Sequence, residues 1–389
     1  MPRPHILFLA SWYPNRNAPA LGNFIREHAR AAALKYEVSV VYACSDEKLA
    51  EGKTELVKNE EAHLTEYILY YGKIRSSAPI VSQLKKRKAF RNAVQLGVDE
   101  AIKAKGQPTL LHLHVIWPMA IAALQVAKAL NVPIVISEHW SGYLPEDGNY
   151  RGRAMKYYSK LLADRSAHVT VVSSRMEAAM KEHGLGKVFS LLPNTIDTQL
   201  FHPATSARND GKFRLLHVSM LVDREKNISG ILRVMKRLEQ HPDIVLEIAG
   251  DGPERAAHEQ HADELGLFGK TVFFSGFHRA EGIAEAMRHS DALLMFSHFE
   301  GMPVTIIEAQ CCGLPVIASK VGAIPSMVKE NEGLLVAPGD EAALEKAILQ
   351  LKATRSHYSS AAIRERAAAH YSREAVAASL EKIYSSLLA

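Results

Sequence analysis

"FEGMPVTIIEAQCCGLPVIAS", residues 299–319, is the stretch on which the reading of the fold turns. It follows an apolar run, "DALLMFSH", turns at Gly301, and continues into a helix with Pro303 in its first turn. Gly313 stops that helix, and a new strand begins near Pro315. Strand, loop, helix and strand in that order make the repeating unit of a parallel sheet. On the helix, Val304, Glu308, Cys311 and Cys312 stand three or four residues apart and share a face, which puts Glu308 on or beside the apolar stripe. A buried carboxylate without donors is costly, so Glu308 needs either a structural Lys or Arg or a ligand such as a ribose. Glu300 differs. It precedes the helix at a strand's carboxyl end, where it can reach sugar hydroxyls or simply answer the helix dipole. The amides of Val304 and Thr305 can donate to a phosphate; Pro303 has none to give.

The same alternation runs outward in both directions. Toward the start, "HILFLA", "EVSVVYA", "TLLHLHV", "PIVISEH", "HVTVVSS" and "VFSLLP" read as strands with helices in most gaps, the helix after "TLLHLHV" opening at Pro118. Their apolar runs lack polar alternation, as a sheet covered on both faces requires. "PNTIDTQLFHPATSARNDGK" (193–212) crowds Pro, Asn, Thr, Asp and Gly and reads as a linker. The pattern then restarts and runs to "GLLVAPG", Asp340 caps one further helix, and an amphipathic helix closes the chain. Two doubly wound α/β domains are predicted, 1–200 and 211–371.

Composition agrees with that plan. A chain of 389 residues exceeds one compact core, and 47% hydrophobic with 23% charged residues is ordinary for a globular protein. A net charge of +5 and a pI near 8.9 fall short of a nucleic-acid binder. Cys44, Cys311 and Cys312 offer neither a disulfide framework nor zinc spacing, which fits a reducing cytoplasmic setting. "MPRPHILFLASW" does not read as a signal peptide, and His112, His114, Pro118, Gln125 and Lys128 break the longest apolar run.

The loop after the first strand, "SWYPNRNAPALGN", has one glycine near a helix start instead of the close-set glycines of a dinucleotide fingerprint. Gly22 there leaves free amides beside a positive helix end, which suits a phosphate; a plain turn glycine is the equal alternative.

Taken together, "FEGMPVTIIEA", "GLPVIAS", "GAIPSMV" and "GLLVAPGD", with "SWYPNRNAPALGNFIREHA", "SEHW", "LPNTID", "HVSMLVDREKN" and "AGDGP" in order, resemble glycosyltransferase family 4 over nearly the whole chain. The resemblance implies a GT-B fold, two Rossmann-like domains facing across a cleft, with the acceptor bound by the first and the nucleotide sugar by the second. It also implies that the last helix, 372–389, packs back on the first domain. By the same resemblance Glu300 and His139 are the catalytic residues at the donor sugar, and Glu308 holds the ribose. Lys226, Gly22, Val304 and Thr305 serve the diphosphate, and Asn194, Gly301 and Met302 line the site. The family often carries an arginine where Met220 stands, and Arg224, displaced along the loop, is the candidate replacement. Thr195 stands where the family usually has glycine.

No Asp-x-Asp sequence occurs, so no metal or other cofactor is expected, and cations and helix ends stabilise the leaving diphosphate. The expected reaction is retaining transfer from a nucleoside diphosphate sugar to a hydroxyl of a glycan or lipid-linked acceptor, in bacterial envelope polysaccharide assembly. A related epimerase, or a non-catalytic sugar-nucleotide or polysaccharide binder, is the alternative. A glycosidase is disfavoured, because its carboxyl pair has to flank one bond. "KKRKAFRN" offers Lys85, Lys86, Arg87, Lys88 and Arg91 to an anionic membrane on the cytoplasmic side, beside Ile80, Val81 and Leu84; a solvated basic helix is the alternative.

Overall fold

The computed structural model describes residues 3–75, 79–206, 208 and 210–388. It divides into two units, Met1–Thr195 with Arg373–Ala389, and Ile196–Ser372.

In the first unit, β1 (His5–Ala10), β2 (Glu37–Asp46), β3 (Thr54–Glu61), β4 (Leu64–Gly72), β5 (Leu110–His114), β6 (Ile134–Glu138), β7 (His168–Val171) and β8 (Phe189–Leu191) form one sheet. Its order is β3-β4-β2-β1-β5-β6-β7-β8. On β1, Leu7 and Leu9 enter one core, with Val94 and Val98 of the helix Pro79–Lys105. Ile6, Phe8 and Ala10 enter the other, with Ile25 and Ala29 of the helix Asn23–Ala33. The two-residue period of a strand thus feeds two apolar layers, which is why β1 reads as an unbroken apolar run.

One pair of elements falls outside the sequence expectation. β3 runs antiparallel to β4 at the sheet edge, and the connecting turn places His63 at φ 61°. An edge strand exposes most of its side chains, and β3 carries Glu55, Lys58, Glu60 and Glu61 in place of the apolar run of its neighbours.

The second unit holds β9 (Phe213–Val218), β10 (Ile244–Ala249), β11 (Val272–Gly276), β12 (Ala292–Met295), β13 (Val316–Ser319) and β14 (Gly333–Val336). All pairings are parallel, in the order β11-β10-β9-β12-β13-β14. Asp340 caps the helix Glu341–Ala353 by accepting from the Ala343 amide at 2.9 Å.

The expected linker needs correction. Residues 196–206 belong to the second unit: the Ile196 amide donates to the Tyr371 carbonyl at 2.9 Å, and Ile196 and Phe201 are buried. The Arg364 guanidinium donates to the carbonyls of Thr198, Phe201 and Cys311. Turn-forming residues are abundant there, but two apolar anchors and one arginine fasten the segment down.

The helix Arg373–Leu388 lies against Asn23–Ala33, with Val376 and Leu380 in the core layer of Phe8 and Ile25. Tyr384 is fully buried, pairs with His112 Nδ1 through its hydroxyl, and packs edge-on against Tyr36 at 5.2 Å. Among the described residues no helix is long and apolar enough to cross a membrane.

Candidate active site

In an open parallel sheet, the place where strand order reverses leaves a crevice at the carboxyl ends. In the second unit the chain winds outward from β9 through β10 to β11, then returns to β12 on the opposite side of β9. The loops after β9 and β12 therefore flank the switch point. Lys226 comes from the first and Glu300 from the second.

The structure joins them. Lys226 Nζ lies 2.7 Å from Glu300 Oε1, and the side chains are 17% and 9% exposed. Ser297 Oγ donates to the same oxygen at 2.8 Å. Glu300 Oε1 is thus held twice, while Oε2 carries no hydrogen bond among the described residues. A carboxylate fixed through one oxygen presents the other as an oriented acceptor. His298 N donates to the Glu225 carbonyl at 2.8 Å, tying the two loops through their backbones as well.

Both loops are built to hold shape. Asp223 accepts from the Ser229 amide at 2.8 Å and its hydroxyl at 2.6 Å. Asn227 adopts a left-handed conformation and caps the helix Ile228–Arg237 through the Gly230 amide. Gly322, at φ 55°, lies so close that a Cβ there would stand 2.0 Å from the Glu300 carbonyl. Only glycine allows that approach. The Ala323 amide then donates to the Gly301 carbonyl at 2.9 Å.

The helix after this loop is Val304–Cys311, and Pro303 precedes it in an extended conformation instead of lying inside its first turn. No side chain caps its start, and the Val304 and Thr305 amides point out of its first turn without a hydrogen-bond partner among the described residues. Glu308 shares the half-buried side of this helix with Val304 and Thr305, whereas Ile306, Ile307, Gln310 and Cys311 are buried. Glu308 sits at the margin of the apolar face, beside the stripe that holds Cys311. Met302 and Gly301 are half-buried in the preceding loop. Arg224 is exposed and stands over the Phe299 ring, 5.8 Å from its centroid, away from the Lys226–Glu300 pair's hydrogen bonds.

In the first unit the order reverses between β1 and β5. Gly22, at φ 64°, opens the helix Asn23–Ala33 after β1, and a Cβ there would lie 2.6 Å from Trp12 backbone carbon. His139 follows β6, with Nδ1 3.1 Å from Asn194 Oδ1 and its ring stacked on His114 at 5.6 Å. Burial, with the neighbouring His28, holds its pKa well below the ordinary histidine value, so the ring is neutral. Thr195 is fully buried. On the helix Pro79–Lys105, Lys85, Lys86, Arg87 and Lys88 are exposed, and Arg91 is half-buried with its Nε shielded from solvent.

Three participants were missed in the sequence. Ser297 and Gly322 look like ordinary loop residues, and only the fold sets them against Glu300. Glu138 is fully buried and accepts from the amides of Ile116, His139 and Trp140 and from the Tyr143 hydroxyl, each at 3.0 Å. Burial raises its pKa despite those four donors, and it fixes the loop that carries His139. Its place directly before His139 was the available signal.

Residues 21–200 match the model of Glycosyltransferase Family 4, and residues 199–370 match that of Glycosyl transferases group 1. The chain belongs to the family 4 glycosyltransferases. This glycosyltransferase is 27% identical over 250 residues to the Bacillus subtilis (strain 168) protein named as glycosyltransferase TuaC of teichuronic acid biosynthesis, over 62% of this chain and 60% of that one. It is likewise 27% identical over 250 residues to a component of human phosphatidylinositol N-acetylglucosaminyltransferase, over 63% of this chain and 51% of that one. The glycosyltransferase thus spans only about half to three-fifths of the length of these curated relatives. Among solved structures, sucrose-phosphate synthase from Thermosynechococcus elongatus superposes with TM-score 0.78 at 24% identity, covering 98% of this chain and 99% of that one. Anabaena Alr3699/HepE in complex with UDP gives 0.72 at 18% identity, covering 98% and 100%. At those identities the likeness is one of fold, and the fold is GT-B.

Proposed function

We propose that this glycosyltransferase moves a hexosyl unit from a nucleoside diphosphate sugar to a hydroxyl of a glycan or lipid-linked acceptor, with retained configuration and without a metal on the diphosphate. The observation that carries the reading is the Lys226–Glu300 pair at the strand-order reversal, beside the open amides of Val304 and Thr305. Lys226 and those amides supply positive charge to the diphosphate. Glu300 Oε2 accepts a hydroxyl of the sugar, and Glu308 accepts the ribose hydroxyls. The bond from the anomeric carbon to the phosphate oxygen breaks with its electron pair going to phosphate. That oxygen takes the proton of the acceptor hydroxyl, and the acceptor oxygen bonds the anomeric carbon on the same face. Gly22, His139 and Asn194 keep the roles given by the family resemblance, as do Gly301 and Met302, and Arg224 is a second cation for the diphosphate. The UDP of the Anabaena complex supports a nucleotide donor.

A panel of nucleoside diphosphates and their sugars in thermal shift tests the donor, since a bound ligand raises stability by mass action. One base is expected to stand out, and Glu308→Ala is expected to weaken that nucleotide by about tenfold, roughly the 1.4 kcal/mol of a hydrogen bond to a charged group. An unchanged affinity removes Glu308 from the ribose. Transfer measured with and without added magnesium or manganese is expected to agree within about twofold, because Lys226 and two amides replace the bridging cation. A saturable rise of tenfold or more on adding either ion overturns that assignment.

The acceptor side is read from the relatives named for teichuronic acid and phosphatidylinositol chemistry, and from one surface. Ile80, Val81 and Leu84 are 77%, 47% and 60% exposed beside Lys85, Lys86, Arg87 and Lys88. Apolar residues next to clustered cations match an anionic bilayer surface, at about 1 kcal/mol per cation. On this reading the protein works at the cytoplasmic face of a membrane, in envelope polysaccharide assembly. Sedimentation with anionic vesicles is expected, with loss in high salt and on Leu84→Glu with Lys86→Glu. Equal binding to neutral vesicles contradicts it.

A further inference from the structure

Three histidines that are far apart in the sequence meet beneath the carboxyl ends of β5 and β6. His28 comes from the helix Asn23–Ala33, His114 ends β5, and His139 follows β6. One nitrogen of each lies within 4.8 Å of the other two. His28 and His114 are fully buried, and neither ring nitrogen of His28 nor the Nε2 of His114 has a hydrogen bond among the described residues. The Pro193 carbonyl stands near one His28 nitrogen as a poorly aligned backbone acceptor. A buried imidazole left in this way calls for an occupant, and one nitrogen of His28 is the orphan that an ion among the three rings answers.

The donor set says which kind. It is all imidazole, with no carboxylate among the three, which suits a borderline transition ion such as zinc and not magnesium or calcium. Asn194 Oδ1 accepts from His139 Nδ1, so Nε2 accepts from His114 Nδ1 at 3.4 Å, a bond that an ion between the two nitrogens replaces. Bonds of about 2.0–2.1 Å in a tetrahedral site set nitrogens about 3.4 Å apart, the separation this pair already has. His28 has to close a gap of at most about 1.4 Å to join them. The Asn194 oxygen on His139 is the kind of outer hydrogen bond that fixes a ligating imidazole's tautomer. Phe24 and Phe8 pack on His139 and His114, each at 4.7 Å, and wall the cluster with apolar surface. The all-histidine set, its spacing and the unanswered His28 nitrogen point in one direction.

We infer that His28, His114 and His139 form a binding site for a zinc-class divalent transition-metal ion, with three imidazole ligands and one open position. The site stands on the first unit alone but shares His139 and Asn194 with the donor site proposed above, so ion binding and a direct His139 contact to the donor sugar exclude each other. Because Nδ1 of His139 is held by Asn194 and Nε2 faces the ion, no nitrogen of this residue remains to serve as a general base.

The test uses the full chain, stripped with a chelator and titrated with zinc or cobalt alone. One tightly bound equivalent is expected, with the intense visible bands of tetrahedral cobalt and a raised unfolding midpoint with zinc. His28→Gln is expected to weaken binding by at least about tenfold. If that buried variant does not fold, His139→Asn, at a half-exposed position, carries the same expectation. His63→Gln and His289→Gln, at exposed histidines, are expected to bind as the parent does. No uptake by the stripped protein overturns the site, as does uptake that survives His28→Gln or His139→Asn unchanged.

Discussion

Glu300→Gln is expected to lower the turnover of sugar transfer by about 100-fold or more, while the nucleoside diphosphate product binds at least as tightly as before. The two effects have one origin. Glu300 Oε1 is the anionic partner of Lys226 at 2.7 Å, and both side chains are largely shielded from water. The amide keeps the shape and removes the charge, so a bound diphosphate becomes the sole anion facing Lys226, and product is held. At the sugar, the oriented Oε2 acceptor is replaced by a weaker, neutral group. Loss of one preorganised electrostatic contact to a transition state costs about 10²–10³-fold in turnover. Single-turnover transfer and product-inhibition constants measure the two effects separately. Undiminished transfer removes Glu300 from the catalytic centre, and weakened product binding contradicts the competition for Lys226.

The second large effect concerns the fold. Tyr384→Ala is expected to destabilise the first unit by about 3–5 kcal/mol, the range for deleting a large aromatic side chain from a core. It removes the ring packed against Tyr36 and leaves His112 Nδ1 buried without its partner. Tyr384→Phe keeps the ring and loses only the hydroxyl, with an expected cost of about 1–3 kcal/mol. Urea unfolding followed by a first-unit probe such as Trp12 or Trp140 reads the difference. Equal stability of the alanine and parent proteins contradicts the packing role of this residue.

Most of the parallel strands were legible in the sequence because a strand buried on both faces is mostly apolar, as β6, β10 and β12 are. β3 was not, since its solvent-facing side chains dilute that signal. At the site, the pairing of Lys226 with Glu300 is a product of strand order. Seventy-four positions separate the two in the chain, and only the adjacency of β9 and β12 brings them together. The expectation of a buried carboxylate answered by a cation also found a second home. Glu332, 2% exposed and paired with Arg366 and Gln310, is a structural ion pair of that kind, while Glu308 lies at the helix margin. A glutamate's burial depends on how far round the helix or loop it sits, and a spacing rule resolves that only to about a quarter turn. The histidine cluster was hidden for a related reason: its members come from three elements, and only the His112–His114 alternation hinted that imidazoles face a common layer.

The second unit begins and ends at one place, where Ile196 bridges to Ser372. In a chain made from its amino end, this has a temporal meaning. Residues 1–195 emerge first with their sheet complete but without the helix Arg373–Leu388, and His112 meets Tyr384 across a separation of 272 positions. At about 5–20 residues per second, the intervening segment takes roughly 10–35 s to be synthesised. During that interval the apolar surface destined for Val376, Leu380 and Tyr384 is bare. The later-made unit has both its ends in place before that helix is made, so the first unit to be translated is the last to be finished.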